Sequence, residues 1–262
     1  MGYAALCYPF PEVSFMLYDM IFKRKSFHIF KDIGHIEDEE LRDIELYYDS
    51  LIPLVPNIRT AMRIVPGEET TCKRGQEYCI LLYSQKKDQH LQNIGYLGQQ
   101  LDLYLASRDI GALWFGIGKT TEPQFDGLDF VIMIAIAKMP SDKFRKNMFK
   151  SKRKALNEIW SGETIAGVSD IARFSPSACN SQPWFVKREK QILTVYRYKK
   201  AGKRGIMPAD KVSYYNQIDM GIFLLMLELC LQHEEIPFVR ELFSDDGDLN
   251  REWTKTAVYM LQ

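Results

Sequence analysis

Ser175-Pro176-Ser177-Ala178-Cys179-Asn180-Ser181-Gln182-Pro183-Trp184 lies where a helical pattern, Thr164 to Phe174, gives way to a strand. Its hydroxyls, its two side-chain amides and its proline-ended turn offer donors and acceptors at short spacing. Such a loop suits the edge of a planar heterocycle that carries donors and acceptors of its own. The same composition also suits an ordinary Ser/Pro/Asn turn.

Downstream, Trp184 to Lys187 and Gln191 to Tyr198 read as a hairpin, the second arm alternating cleanly. A loop rich in Lys, Gly and Pro, Lys199 to Tyr215, precedes a dense apolar helix, Gln217 to His233, and Thr254 to Leu261 is a final strand. The apolar run Ile218 to Leu231 is interrupted by Asp219 and Glu228. It is too short and too charged to span a bilayer, so it reads as a buried helix.

Upstream, Leu17 to Phe30 reads as a helix running into a basic turn, and Asp38 to Leu51 as a helix stopped by Pro53. Tyr78 to Ser84 is a short apolar strand. Ile94, Leu97, Leu101, Tyr104 and Leu105 give Gln92 to Asp109 a helical period, with Gly111 as its stop. The loop Trp114 to Lys119, the strand Phe130 to Lys138 and the basic stretch Lys143 to Lys154 follow, and the organisation restarts at Ser161-Gly162. The helices at Asn93-Ile94 and Gln217-Ile218 carry similar apolar spacing. Two core helices share such spacing in any event, and so would the two copies of a duplicated unit.

The 262 residues are 46% hydrophobic and 26% charged, with a formal net charge of zero, as in a soluble globular protein. No global field draws the chain to nucleic acid or to a membrane surface, so neither is an expected partner. Five cysteines, at 7, 72, 79, 179 and 230, contain no C-x-x-C pair. They read as reduced thiols of a cytoplasmic protein, and Cys179 as a small packed side chain. The four histidines lack metal-site spacing, and no metal is expected. Met1 to Phe15 lacks the basic start of a signal peptide and reads as an extension the fold does not need.

P-S-x-x-N-S-Q-P-W, from Pro176 to Trp184, resembles the hallmark loop of the FMN-dependent nitroreductase family. The resemblance implies that Asn180 hydrogen-bonds the pyrimidine edge of the flavin, a contact that comes from the partner subunit in that family, with Ser177 and Gln182 in support. Arg24-Lys25-Ser26-Phe27-His28 is by itself either a solvated cluster or a cation-and-hydroxyl fork for a phosphate. It resembles the family's opening, which places Arg24, Lys25 and Ser26 on the FMN phosphate, with His28 standing where the family has Arg or Lys. Arg153-Lys154-Ala155-Leu156 resembles the family's closing R-K-P-L element, with alanine at the proline, which implies phosphate contacts from Lys152 and Arg153. Trp114-Phe115-Gly116-Ile117-Gly118 is either a glycine turn after a helix or the counterpart of a W-I-G segment that packs near the flavin. The second reading makes Trp114, Gly116 and Gly118 cofactor contacts.

The order of these motifs departs from ordinary members, because the asparagine loop follows the basic close instead of preceding it. No such loop occurs over Pro53 to Pro66. The chain therefore resembles a fused branch of the family in which a monomer mimics a dimer. The expected fold is α+β, nitroreductase-like, with two tandem half-units (16–160 for the phosphate clamp, 161–262 for the flavin-ring loop) forming an intramolecular pseudo-dimer of mixed or antiparallel sheets flanked by helices. Further dimerisation is compatible with it. The implied activity is an FMN-dependent NAD(P)H oxidoreductase. It would pass hydride through flavin N5, by a ping-pong scheme, from NADH or NADPH to a nitroaromatic, quinone or similar small acceptor, with no catalytic side chain. The alternatives are a flavin sensor or store without turnover, and a two-domain interaction protein with no cofactor.

Overall fold

The computed structural model describes residues 11–199, 207–244 and 252–262, with side chains from residue 16 onward. The readings of residues 1–10 as an extension and of Cys7 as a free thiol lie outside the described residues, as does the 200–206 part of the Lys199–Tyr215 loop. The chain divides into two compact units: residues 19–148, and residues 149–262 with the described residues up to Tyr18. The division falls at Met148/Phe149, so Lys152 and Arg153 fold with the Pro176–Trp184 loop.

The boundary at Tyr18 falls inside α1 (Pro11–Lys23). In the first unit, α2 (Asp38–Asp49) precedes β1 (Thr60–Pro66), β2 (Tyr78–Ser84), α3 (His90–Ser107), β3 (Ile110–Phe115), β4 (Gln124–Phe125) and β5 (Leu128–Lys138). The antiparallel sheet runs β1-β2-β5-β3, with β4 paired to β5. Ile80 sits opposite Ile134, and Leu113 opposite Ala135. β2 is a near-continuous apolar run because almost every residue in it is buried. Its Leu81 joins Leu113, Met133 and Ala135 in the core.

In the second unit, α4 (Leu156–Ile159), β6 (Trp160–Ser161) and α5 (Ser169–Ala172) lead to β7 (Trp184–Glu189), β8 (Ile192–Tyr198), α6 (Val212–His233), β9 (Phe238–Leu242) and β10 (Trp253–Leu261). The sheet order is β6-β7-β8-β10-β9, parallel only at β6–β7. α6 is buried almost all round, which its dense apolar sequence allows. Its Glu228, 2% exposed, accepts the Tyr259 hydroxyl of β10 at 2.7 Å and pairs with Arg240 of β9 at 2.6 Å.

The two units share one connectivity. A hairpin, a long helix and a second hairpin whose last strand lies innermost give β1-β2-β5-β3 in one and β7-β8-β10-β9 in the other. The mixed α+β class expected from sequence is the class observed.

Several boundaries differ from the sequence reading. α1 stops at Lys23 instead of continuing to Phe30, because Ser26 forms a parallel bridge with Ala112 and needs extended chain. The helix expected over Thr164–Phe174 shrinks to Ser169–Ala172, since Gly167 holds φ +74° where a Cβ would lie 2.1 Å from Glu234 Oε1. Trp114 and Phe115 belong to β3 instead of a loop, opposite Ile134 and Met133. β1 and β9 went unread; both are sheet-edge strands whose half-exposed residues do not alternate cleanly. Among the described residues, no helix is long and apolar enough to cross a membrane.

Candidate functional site

In the second unit, the Ser175–Trp184 stretch forms a tight loop between α5 and β7. Cys179, Asn180 and Gln182 hold φ of 50°, 55° and 48°. Left-handed backbone costs a non-glycine residue roughly 1–2 kcal/mol. Three such residues within four positions persist only where surrounding bonds over-determine them.

Those bonds come from two sides. On one side stands the basic close. Arg153 Nη1 donates to Asn180 Oδ1 at 3.0 Å and to the Lys152 carbonyl at 2.9 Å, and Nη2 donates to the Phe174 carbonyl at 3.1 Å. Asn180 Nδ2 donates to the Lys152 carbonyl at 3.2 Å, and Gln182 Nε2 donates to Asn180 Oδ1 at 3.3 Å. Gln182, 3% exposed, accepts the Lys154 backbone N–H on Oε1 at 2.8 Å and the Lys154 ammonium on its carbonyl at 2.9 Å. Burial lowers the Lys154 pKa from the usual lysine range, against the pull of Glu158. Ser177 Oγ accepts the Gln182 N–H at 3.0 Å.

On the other side stands α6. Asp219 Oδ1 accepts the Ala178 N–H at 2.9 Å, and Oδ2 accepts the Ser181 hydroxyl at 3.3 Å, which also reaches Asn216 Oδ1 at 3.2 Å. Asp219 is 3% exposed, and burial pushes its carboxyl up to about 7 against the pull of these two donors. Trp184 closes the loop by stacking on Phe223 of α6, with ring centroids 4.8 Å apart.

Five of the residues singled out from sequence therefore meet here: Lys152, Arg153, Ser177, Asn180 and Gln182. Ser177 and Gln182 brace the loop. Lys152 contributes its carbonyl to the network, while its residue as a whole is exposed. Cys179 is exposed, which corrects the reading of a packed side chain.

In the first unit, Arg24 is 5% exposed and directs Nε to Asp102 Oδ2 at 2.7 Å. The Trp114 indole donates to the same oxygen at 2.9 Å. Trp114 lies against α3 where Gly98 leaves room: a Cβ there would be 2.5 Å from Trp114 Cη2. Lys25 is exposed, and its ammonium donates to the Lys143 carbonyl at 2.9 Å. The Arg145 N–H bonds the Lys23 carbonyl at 3.0 Å, so residues 143–145 run beside residues 23–25. Burial, then the charge of Arg24, lowers Arg145 to about 10, while Asp102 opposes the shift. Arg145 stays charged at neutral pH. Arg24 alone is paired with Asp102, and Arg145 lies within electrostatic reach of both, so the cluster carries two guanidinium charges near one carboxylate, which leaves positive charge for an anion to complement. His28 is exposed. A Cβ at Gly118 would meet Met133 Sδ at 2.5 Å, so its missing side chain makes room for a core methionine. Gly116 lies in the turn between Phe115 and Gly118, closed by the Gly118 N–H to the Phe115 carbonyl at 3.1 Å.

Sequence reasoning missed Asp102, Arg145 and Asp219 as members of these clusters. For the two aspartates the signal was present: each is a carboxylate inside a helix whose neighbours are apolar. Arg145 gave none, being one cation in a basic run.

The family model described as "Putative TM nitroreductase" matches residues 16–230. A solved structure described as a putative nitroreductase from Thermotoga maritima MSB8 is similar at 17% identity and a TM-score of 0.62, covering 94% of this chain and 93% of that one. A nitroreductase family protein from Clostridium difficile 630 is 14% identical, with a TM-score of 0.44, over 56% of this chain and 98% of that one. A putative nitroreductase in complex with FMN from Desulfovibrio desulfuricans is 17% identical, with a TM-score of 0.41, over 57% of this chain and 97% of that one. At 17% identity the likeness to the Thermotoga maritima structure speaks for the fold alone. No curated protein matches the sequence.

Proposed function

This chain belongs to the nitroreductase family, and on that premise we propose that it is an FMN-dependent NAD(P)H oxidoreductase. Bound FMN would supply ping-pong hydride transfer through N5, from NADH or NADPH to a nitroaromatic, quinone or similar small acceptor. The observation that supports the reading most is the bond from Arg153 to Asn180, which ties the basic close to the asparagine loop.

The donor set fits a flavin edge. Asn180 Oδ1 already accepts from Arg153 and Gln182, and one Nδ2 hydrogen serves the Lys152 carbonyl. One N–H remains, so Asn180 acts as a donor, suited to a ring carbonyl or ring nitrogen. The Arg153 guanidinium beside it balances negative charge at such an edge. Phosphate candidates exist in each unit: Lys152 and Arg153 in residues 149–262, and Arg24, Lys25 and Ser26 in residues 19–148, now joined by Arg145. Ser177 and Gln182 hold the loop. Trp114, Gly116, Gly118 and His28 stay cofactor candidates on the resemblance alone. We assign no side chain as a general acid.

We also read the two hairpin–helix–hairpin units as half-units within one chain, the pseudo-dimer arrangement. The test is to add excess FMN to the full chain, remove free flavin, and mix anaerobically with NADH or NADPH. Retention of flavin and bleaching of its visible band by at least one nucleotide is expected. No retained flavin overturns the reading. Retained flavin that neither nucleotide bleaches favours a flavin-binding protein without turnover.

A further inference from the structure

Asp219 sits beneath the loop in the second unit and touches it at two points that flank Asn180. Its Oδ1 accepts the Ala178 N–H at 2.9 Å, and its Oδ2 accepts the Ser181 hydroxyl at 3.3 Å. Between these points lie Cys179 and Asn180, both left-handed, with Gln182 just beyond. Left-handed non-glycine backbone relaxes unless something holds it. Lys152, Arg153 and Lys154 hold the loop's side chains and its far end, whereas Asp219 alone engages the backbone N–H at its entrance. A carboxylate is the strongest acceptor a side chain offers to an N–H and a hydroxyl together. Such a group is costly to bury, and here it is 3% exposed at the head of the apolar stretch Met220–Leu227 of α6.

We propose that Asp219 is a positioning residue that locks Cys179 and Asn180 in their left-handed conformation and so fixes the direction of the free Asn180 N–H. Its effect on flavin rests on the function proposed above; its effect on the loop does not. Asp219 acts through Asn180 and touches no ligand itself. Asp219→Ala removes both acceptors. Asp219→Asn keeps one oxygen for the Ala178 N–H and gives up the anionic one. Ser181→Ala removes only the hydroxyl arm.

The test uses the full chain and two readouts. Hydrogen exchange of a peptide spanning 177–182 is followed without flavin, with a peptide from β8 as the control for global folding. FMN affinity and the flavin visible band are followed by titration. Exchange at 177–182 should accelerate at least tenfold in Asp219→Ala, less in Asp219→Asn and Ser181→Ala, with β8 unchanged. FMN affinity should fall in the same order, tenfold or more for alanine, with a shifted band and partial rescue by asparagine. Unchanged exchange at 177–182 in both Asp219 variants and in Ser181→Ala overturns the proposal, whatever flavin does. If the wild type takes up no FMN, the proposed function fails, and the exchange result still decides the role of Asp219. Should Asp219→Ala not fold, Asp219→Asn and Ser181→Ala carry the same comparison.

Discussion

Arg153 Nη1 lies 3.0 Å from Asn180 Oδ1, across 27 residues of sequence. The bond joins the two motifs on which the flavin reading rests. A hydrogen bond to a charged group contributes about 1.5–3 kcal/mol. Asn180→Ala and Arg153→Ala should therefore each weaken FMN binding by about tenfold to a hundredfold. The double variant should fall well short of the product of the two, because the residues share one interaction. Titration of flavin fluorescence checks this; fully multiplicative losses would show that the two residues act independently.

Asp219 links the loop to pH. Its folded carboxyl titrates at about 7, raised from 3.8 by burial and opposed by Ala178 and Ser181. Asp170 on α5, Tyr196, Arg197 and Tyr198 on β8, Cys179 in the loop, and Asp210 and Lys211 just before α6 are the titratable and charged residues on the elements packed against it. None of them is among the causes of the shift. A raised pKa stabilises the fold fully below pH 3.8, and that stability is lost as pH rises through about 7. The loss is on the order of 4 kcal/mol. Asp219→Asn cannot ionise, so its stability relative to wild type should be higher at pH 8 than at pH 4, whatever the lost Ser181 bond costs it at both. Urea unfolding at both values is the check, and an equal difference at the two pH values would contradict it.

Glu228 holds the second unit's helix to its sheet. It is 2% exposed and carries both the Tyr259 hydroxyl and the Arg240 guanidinium. Removing one partner of a buried ion pair costs about 3–5 kcal/mol, because the other charge stays buried. Glu228→Ala should lower the thermal midpoint by about 10 °C or more, at roughly 2–4 °C per kcal/mol for a chain of this size. Calorimetry tests it, and a shift under a few degrees would mean that Arg240 finds another partner.

In the first unit, Arg24 pairs with Asp102, and Arg145 feels the charge of both. Arg145→Ala should weaken the binding of inorganic phosphate or FMN by about tenfold and flatten its salt dependence. Asp102→Asn should strengthen it. Calorimetric titration at two salt concentrations checks this, and an unchanged affinity in Arg145→Ala would remove Arg145 from any anion site.

The fold class was legible because long periodic segments dominate it. α3, α6, β2 and the β7–β8 hairpin stand where the apolar spacing put them, within a few residues. β1 and β9 escaped because edge strands with half-exposed residues carry no clean two-residue period. The helix ends moved where tertiary partners outweighed local pattern: Ser26 leaves helix to bridge Ala112, and Gly167 accommodates Glu234. Within the candidate site, the motif residues Asn180, Ser177 and Gln182 were readable as a string. That Asp219 holds them was not: a carboxylate inside an apolar helix marked the residue, but its bond to Ala178 spans 41 positions and leaves no local trace. Gly118 makes the same point in reverse, since its open space is filled by Met133.

The account depends on a flavin at the Asn180 loop, and equilibrium dialysis of the full chain and Asn180→Ala against FMN tests it most directly. The wild type should retain about one equivalent of flavin at micromolar concentration, and the variant at least tenfold less under the same conditions. Equal retention by the two, or none by either, would contradict it.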